Sequence, residues 1–152
     1  MSGLLQQSIQ SLATALRDGT TTCVALAEEA IDNHARWGTA LGAYKARQDD
    51  RFLAESRAAD AAFAAGLDFG LLQGIPVSVK DLYGVAGYQT FAGSPAALPK
   101  KWEQEGPVLC SLRAALAPVA GKTHTVEFAF GGIGGMTHFV YRKVIANPHA
   151  RI

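Results

Sequence analysis

The sequence predicts an α/β protein in which helices precede a sheet. Three segments within the first 66 residues repeat apolar side chains at helical spacing. Beyond Gly66, glycine and proline separate short apolar runs, and residues 75–80 alternate apolar and polar side chains as a strand does. Because helical spacing returns over residues 107–117, a sheet layered with helices is favoured over an all-α packing.

The first two predicted helices each have a capping residue. A helix over residues 3–17 has Ser2 available as its N-cap and Gly19 just beyond its end. The threonines at 20–22 offer caps for a second helix that reaches about Trp37. Two helices are therefore expected before any strand.

A candidate strand and a third helix follow. The candidate strand is LGAYKA, residues 41–46, and the helix after it is Ala-rich, is capped by Asp49 or Asp50 and stops at Gly66. The last predicted helix takes Pro107 at its first position.

The sheet is expected to start with the strand at 75–80. A loop with little regular pattern then runs from Leu82 to Glu105, and loops of that length in compact domains are usually functional or flexible. A short strand near residue 119 and a glycine-rich stretch at 131–135 complete the order.

Composition excludes several classes of function. The chain has 152 residues, 49% hydrophobic and 18% charged, which suits one globular domain. Its 14 Lys and Arg balance 13 Asp and Glu without a basic run, so we expect a small-molecule or protein partner and no nucleic acid. No stretch approaches the length of a membrane span, so no membrane partner is expected.

Cysteine and histidine spacing gives no sign of a metal or cofactor. Cys23 and Cys110 form no CxxC pair, so reduced thiols in a cytoplasmic protein are expected. The four histidines show no ligand spacing such as HExxH. We therefore expect neither a metal site nor a cofactor.

Lys80 is the candidate for chemistry. Strand alternation places Ser78 and Lys80 on one face and the apolar residues on the other. A neutral lysine can take a proton from a hydroxyl, so the two residues suit a serine–lysine pair if a cleft covers that face. If the face is open to solvent, Lys80 is an ordinary surface charge.

Two glycine motifs have other interpretations. GKT at 121–123 is not a phosphate loop, because such a loop needs glycine five residues earlier, where Leu116 stands. GGIGG at 131–135 suits either a backbone nest for an oxyanion or a plain turn.

Three blocks in order resemble the amidase signature family. They are GIPVSVKD at 74–81, TFAGS at 90–94 and LRAALAPVAGKTHTVEFAFGG at 112–132. The resemblance implies α/β/α layers around a mixed sheet, incomplete here and preceded by N-terminal helices. It makes residues 1–152 a single partial domain, with 1–66 a mainly helical lead-in and 67–152 the start of the sheet core.

The resemblance also implies a role for Lys80. In that family the lysine of the VKD block is the base of a Ser-cisSer-Lys triad that hydrolyses the C–N bond of a carboxamide, and Lys80 is the matching residue. Such a base must be uncharged, and we expect the long loop after Lys80 to cover it and exclude water. The family's serines lie in GGSSxG and GGS blocks that the 152 residues do not contain. Ser78 and Ser94 belong to other blocks, so Lys80 alone is carried over.

Several expectations follow from the missing blocks. The chain alone is expected to be inactive, and its substrate, once the serines are supplied, is a small-molecule amide. Two alternatives stay open: a non-catalytic binding or interaction remnant, and the A subunit of a glutamyl-tRNA amidotransferase. A homodimer or a partner subunit is compatible with either. The chain also departs from the family at His124, where asparagine is usual, and over the tail 136–152.

Overall fold

A computed structural model describes residues 3–131, which form helices packed against a three-stranded sheet. The α-helices are α1 Ile9–Arg17, α2 Cys23–Asn33, α3 Thr39–Leu41, α4 Asp49–Ala64 and α5 Pro107–Ala114. The strands are β1 Tyr44–Ala46, β2 Val77–Lys80 and β3 Val119–Thr123. Ser2, all but the first residue of the GGIGG stretch, and the tail 136–152 lie outside the described residues. No helix among residues 3–131 is long and apolar enough to cross a lipid bilayer.

Helix α1 begins later than the sequence pattern indicated. The helix predicted over 3–17 starts at Ile9, and its cap is Ser8, whose Oγ accepts a hydrogen bond from the Ser11 amide at 3.1 Å. Ser8 has extended backbone angles, so the apolar residues before it form a separate 3₁₀ turn. Two amides of that turn donate to the Glu29 carboxylate of α2, which takes the place of an N-cap side chain.

The other helix ends follow the predicted chemistry with one correction. Thr22 caps α2 by accepting a hydrogen bond from the Ala25 amide at 3.0 Å, as the threonine run indicated. Asp49 and Asp50 do not cap α4; they are its first two residues. Their negative charges stabilise the helix there by interacting with the positive end of its dipole. Gly66 follows α4 with φ +75°, a left-handed conformation that glycine adopts without cost.

The helical path after α2 is longer than predicted. The regular α-helix ends at Asn33, but a π-helical turn over His34–Gly38 and the short α3 continue it. Gly42, in the left-handed conformation, ends α3 and turns the chain into β1.

The sheet is mixed, as predicted, in the order β1–β3–β2. Strand β2 pairs with β3 in parallel and β1 pairs with β3 antiparallel. Lys80 lies opposite Thr123, Val79 opposite Lys122 and Ser78 opposite Gly121. Opposed residues share a face, so this register decides which side chains meet at the end of β2.

The core consists of three clusters of buried apolar side chains, which pack the helices against one another and against the sheet. Helices α1, α2 and α4 meet around Leu16 and Leu26, and α5 packs Leu109 against the sheet at Val79 and Val119. Between them, Phe52 of α4 is completely buried against Ala120 of β3. The central strand is therefore held from both directions.

Candidate active site at the end of strand β2

Lys80 lies on an open face of the sheet. Its side chain and that of Ser78 are both exposed, whereas Val79 between them is buried. Within residues 3–131 the Lys80 ammonium has no hydrogen bond and no ion pair. The alternation predicted for β2 is therefore confirmed, and Lys80 shares a solvent-exposed face with Ser78.

The long loop does not cover Lys80, contrary to expectation. Its backbone returns over Asp81, where the Ala92 amide donates to the Asp81 carbonyl at 2.9 Å and the Phe91 amide donates to Asp81 Oδ2 at 3.1 Å. Successive strand residues point to opposite faces, so a loop that covers residue 81 leaves residue 80 uncovered. Ser94 lies within this loop and binds the Ala96 amide through its hydroxyl.

Tyr44 is a neighbour of Ser78 that the sequence pattern did not reveal. Its hydroxyl lies 2.6 Å from Ser78 Oγ, although β3 separates the two strands. The ring can cross β3 because Gly121 has no side chain there; a Cβ at that position would lie 2.9 Å from Tyr44 Cδ1 and 2.7 Å from the Ala46 carbonyl oxygen. The glycine of GKT therefore allows β1 to lie close to β3, and we assign it no role in phosphate binding.

The other side of Tyr44 is held by charged and aromatic groups. The Arg47 guanidinium lies 4.9 Å from the ring centroid, and the His34 ring meets it edge-on with centroids 5.4 Å apart. Burial, followed by the nearby Arg47 charge, lowers the pKa of His34 below its ordinary value. These contacts give Tyr44 a fixed orientation toward Ser78.

The lysine of GKT is buried in an ion pair. Lys122 is fully buried, and its Nζ lies 2.7 Å from Asp81 Oδ1. The same ammonium donates to Thr90 Oγ1 at 2.7 Å and to the Gln89 carbonyl at 3.2 Å. The Thr90 hydroxyl in turn donates to the Trp102 carbonyl at 3.0 Å. This lysine therefore ties β3 to the loop, and no donor is left for a phosphate.

His124 and Lys45 are two further titratable residues at this end of the sheet. Burial is the main cause that lowers the pKa of His124, the Lys45 charge adds to it, and the Asp81 charge opposes it. The Lys45 ammonium lies 4.0 Å from the centroid of the Phe91 ring, an arrangement typical of a cation–π contact. The part of the chain that the structure describes has no cluster of three or more His, Cys, Asp or Glu side chains able to hold a metal ion.

Comparison with known proteins gives the family. The model of the Amidase family matches residues 25–150. The 2-amino-5-chloromuconic acid deaminase of Comamonas testosteroni is 44% identical over 93% of this chain and 31% of its own length. An amidase of Pseudomonas putida is 34% identical over 88% of this chain and 28% of its own. The A subunit of the glutamyl-tRNA(Gln) amidotransferase of Azoarcus sp. is 34% identical over 95% of this chain and 29% of its own.

Solved structures agree with the sequence comparison. A crystal structure of an amidase superposes with a TM-score of 0.77 at 32% identity, over 88% of this chain and 31% of the other. The peptide amidase of Stenotrophomonas maltophilia superposes with a TM-score of 0.74 at 26% identity, over 81% and 26%. The chain thus spans about a third or less of the length of these relatives. With the family model matched over most of its length, the chain belongs to the amidase family.

Proposed function

We propose that this chain supplies the general base, Lys80, to a hydrolase that cleaves a C–N bond. The observation that carries the proposal is the placement of Lys80 beside Ser78 on the open face of β2, in a chain of the amidase family. Strands β2 and β3 end together there, and ligands of parallel sheets bind beyond the carboxyl ends of the strands.

Among the lysines at this end of the sheet, Lys80 suits a base best. Lys122 is buried and its donors are engaged by Asp81, Thr90 and a carbonyl. Lys45 is held over an aromatic ring. Lys80 alone of the three is exposed, on a rigid mount formed by the buried apolar face of β2.

The proposed chemistry is acyl transfer through serine. The uncharged Lys80 amine takes a proton from a bridging serine, which takes one from the nucleophilic serine as its oxygen attacks the carbonyl carbon. The C–N bond breaks as the proton held by Lys80 returns through the bridging serine to the leaving nitrogen, which departs as ammonia or an amine. Water, deprotonated through the same relay, then hydrolyses the acyl-enzyme. The 152 residues contain no GGSSxG block, and we propose that both serines, and the cover that excludes water from Lys80, belong to a part of the enzyme other than these residues.

For the substrate, a small molecule that releases ammonia is favoured. The 44% identity to the Comamonas testosteroni deaminase exceeds the 34% identity to the amidotransferase chain. We therefore propose a small carboxamide, whose carbonyl carbon the serine oxygen attacks with release of ammonia, and no direct contact with nucleic acid. An amidotransferase role remains the second candidate, and it would require a partner subunit.

A hybrid enzyme tests the proposal. This chain replaces the matching segment of the Comamonas testosteroni deaminase, and ammonia release from 2-amino-5-chloromuconic acid and from a primary carboxamide is measured. We expect turnover and fluorophosphonate labelling in the hybrid and neither in the isolated 152-residue chain. Turnover by the isolated chain would contradict the assignment of the serines, and a folded hybrid without turnover would favour a non-catalytic binding module.

A further inference from the structure

Lys80 and Lys122 lie at the same end of the sheet, and among residues 3–131 only Lys122 has a carboxylate partner. Lys122 is buried with its ammonium 2.7 Å from Asp81, whereas Lys80 is exposed and unpaired among residues 3–131. Asp81 follows Lys80 directly in the chain. Its carboxylate nevertheless pairs with Lys122 on the buried face and not with Lys80 on the exposed face.

That selection matters for a base. An opposite charge within about 4–6 Å favours the charged form of an amine, so a carboxylate free to approach Lys80 would keep it protonated and unable to accept a proton from serine. In the structure both oxygens of Asp81 are engaged in the interior, one by Lys122 and the other by the Phe91 amide. The carboxylate is thereby held away from Lys80.

The register of the strands enforces the choice. Val79 opposes Lys122, so Lys122 shares the buried face, and Asp81, two residues after Val79, returns to that face. A shift of one residue would exchange the faces and bring Lys80 inside.

We propose that Lys122 is a positioning residue for Lys80: it holds the Asp81 carboxylate in the interior and cancels its charge, so that the base has no carboxylate partner. The inference rests on the proposed function, because that function gives Lys80 its role. The Asp81 charge also acts on the His124 imidazole, as does the Lys45 ammonium. Lys45 alternates with Tyr44, which shares the face of Lys80, so Lys45 is on the opposite face.

Amine acylation of the 152-residue chain tests this inference without any turnover. A brief reaction with the N-hydroxysuccinimide ester of acetic acid modifies only uncharged amines, and peptide mass spectrometry gives the rate at Lys80 relative to exposed Lys100. In Lys122→Met the Asp81 charge is left uncompensated. We expect Lys80 to react roughly two- to fivefold more slowly, the effect of one charge near 4–8 Å in a water-like medium.

The double variant Asp81→Asn/Lys122→Met is the matched control. It removes both charges and keeps an acceptor for the Phe91 amide, so Lys80 should react at the rate of the unaltered chain. An unchanged or faster rate in Lys122→Met would overturn the inference, because a purely structural role would loosen the loop without placing a negative charge near the amine of Lys80, which is already exposed. If that variant does not fold, a changed rate in the folded double variant would overturn it instead. Neither result depends on whether Lys80 acts as a base in the hybrid enzyme.

Discussion

Gly121 is the position where one added methyl group should do most harm. A Cβ there would lie 2.7 Å from the Ala46 carbonyl oxygen and 2.9 Å from both Arg47 Cγ and Tyr44 Cδ1. Its φ of +153° is also one that L residues rarely adopt. Strain of about 1–3 kcal/mol and overpacking of about 1–3 kcal/mol give an expected loss of about 2–6 kcal/mol in the free energy of unfolding for Gly121→Ala.

Gly66→Ala separates the two causes. Gly66 also has a positive φ, +75°, but a Cβ there meets nothing within 4 Å. Gly66→Ala should therefore lower the free energy of unfolding only by the cost of a left-handed alanine, about 1–2 kcal/mol. The restriction of the unfolded chain is common to both variants and cancels in their comparison.

Urea denaturation followed by circular dichroism measures the difference. Gly121→Ala should be less stable than Gly66→Ala by at least about 1 kcal/mol, the lower end of the overpacking cost. Equal stabilities would refute the claim that Gly121 is required for the close approach of β1. In that case the path of Tyr44 to Ser78 would need another explanation.

Two further predictions concern the core and the histidine at the site. Phe52→Ala should lower the free energy of unfolding by about 3–5 kcal/mol, because Phe52 is fully buried. The control Phe130→Ala changes a side chain that is 90% exposed and should alter the free energy of unfolding by less than about 0.5 kcal/mol. Similar losses for the two variants in urea denaturation would contradict the core assignment. The fold lowers the pKa of His124 from 6.5, so below that pH the unfolded state binds more protons and stability is lost as the pH falls. His124→Asn should therefore lose less thermal stability than the unaltered chain between pH 7.5 and pH 5.5, and an equal or greater loss would refute this.

Local chemistry predicted the elements better than their ends. Helical spacing and the threonine cap located α2, and Gly66 marked the end of α4. The predicted start of α1 was wrong for two reasons. The Ser8 hydroxyl accepts a hydrogen bond from the Ser11 amide, which begins a new helix at that point. The Glu29 carboxylate of α2 accepts hydrogen bonds from amides of the preceding 3₁₀ turn, so that turn does not need to continue into α1. Contacts between distant residues are not visible in a local pattern.

The same distinction holds for the site. Alternation was enough to place Lys80 and Ser78 on one face, because it depends only on neighbouring residues. The buried pair of Asp81 with Lys122 and the reach of Tyr44 across β3 depend on strand order and register, which the sequence pattern left open. The expected cover over Lys80 was wrong for a related reason: the pattern showed a long loop but not the face on which it lies.

The most direct test of the account is the kcat of the hybrid enzyme after Lys80→Ala. Loss of a general base should lower kcat by about 10²–10⁴-fold, while Lys100→Ala, at an exposed lysine of the loop, should leave it unchanged. A Lys80→Ala hybrid that keeps the kcat of the unaltered hybrid would contradict the assignment of Lys80 as the base.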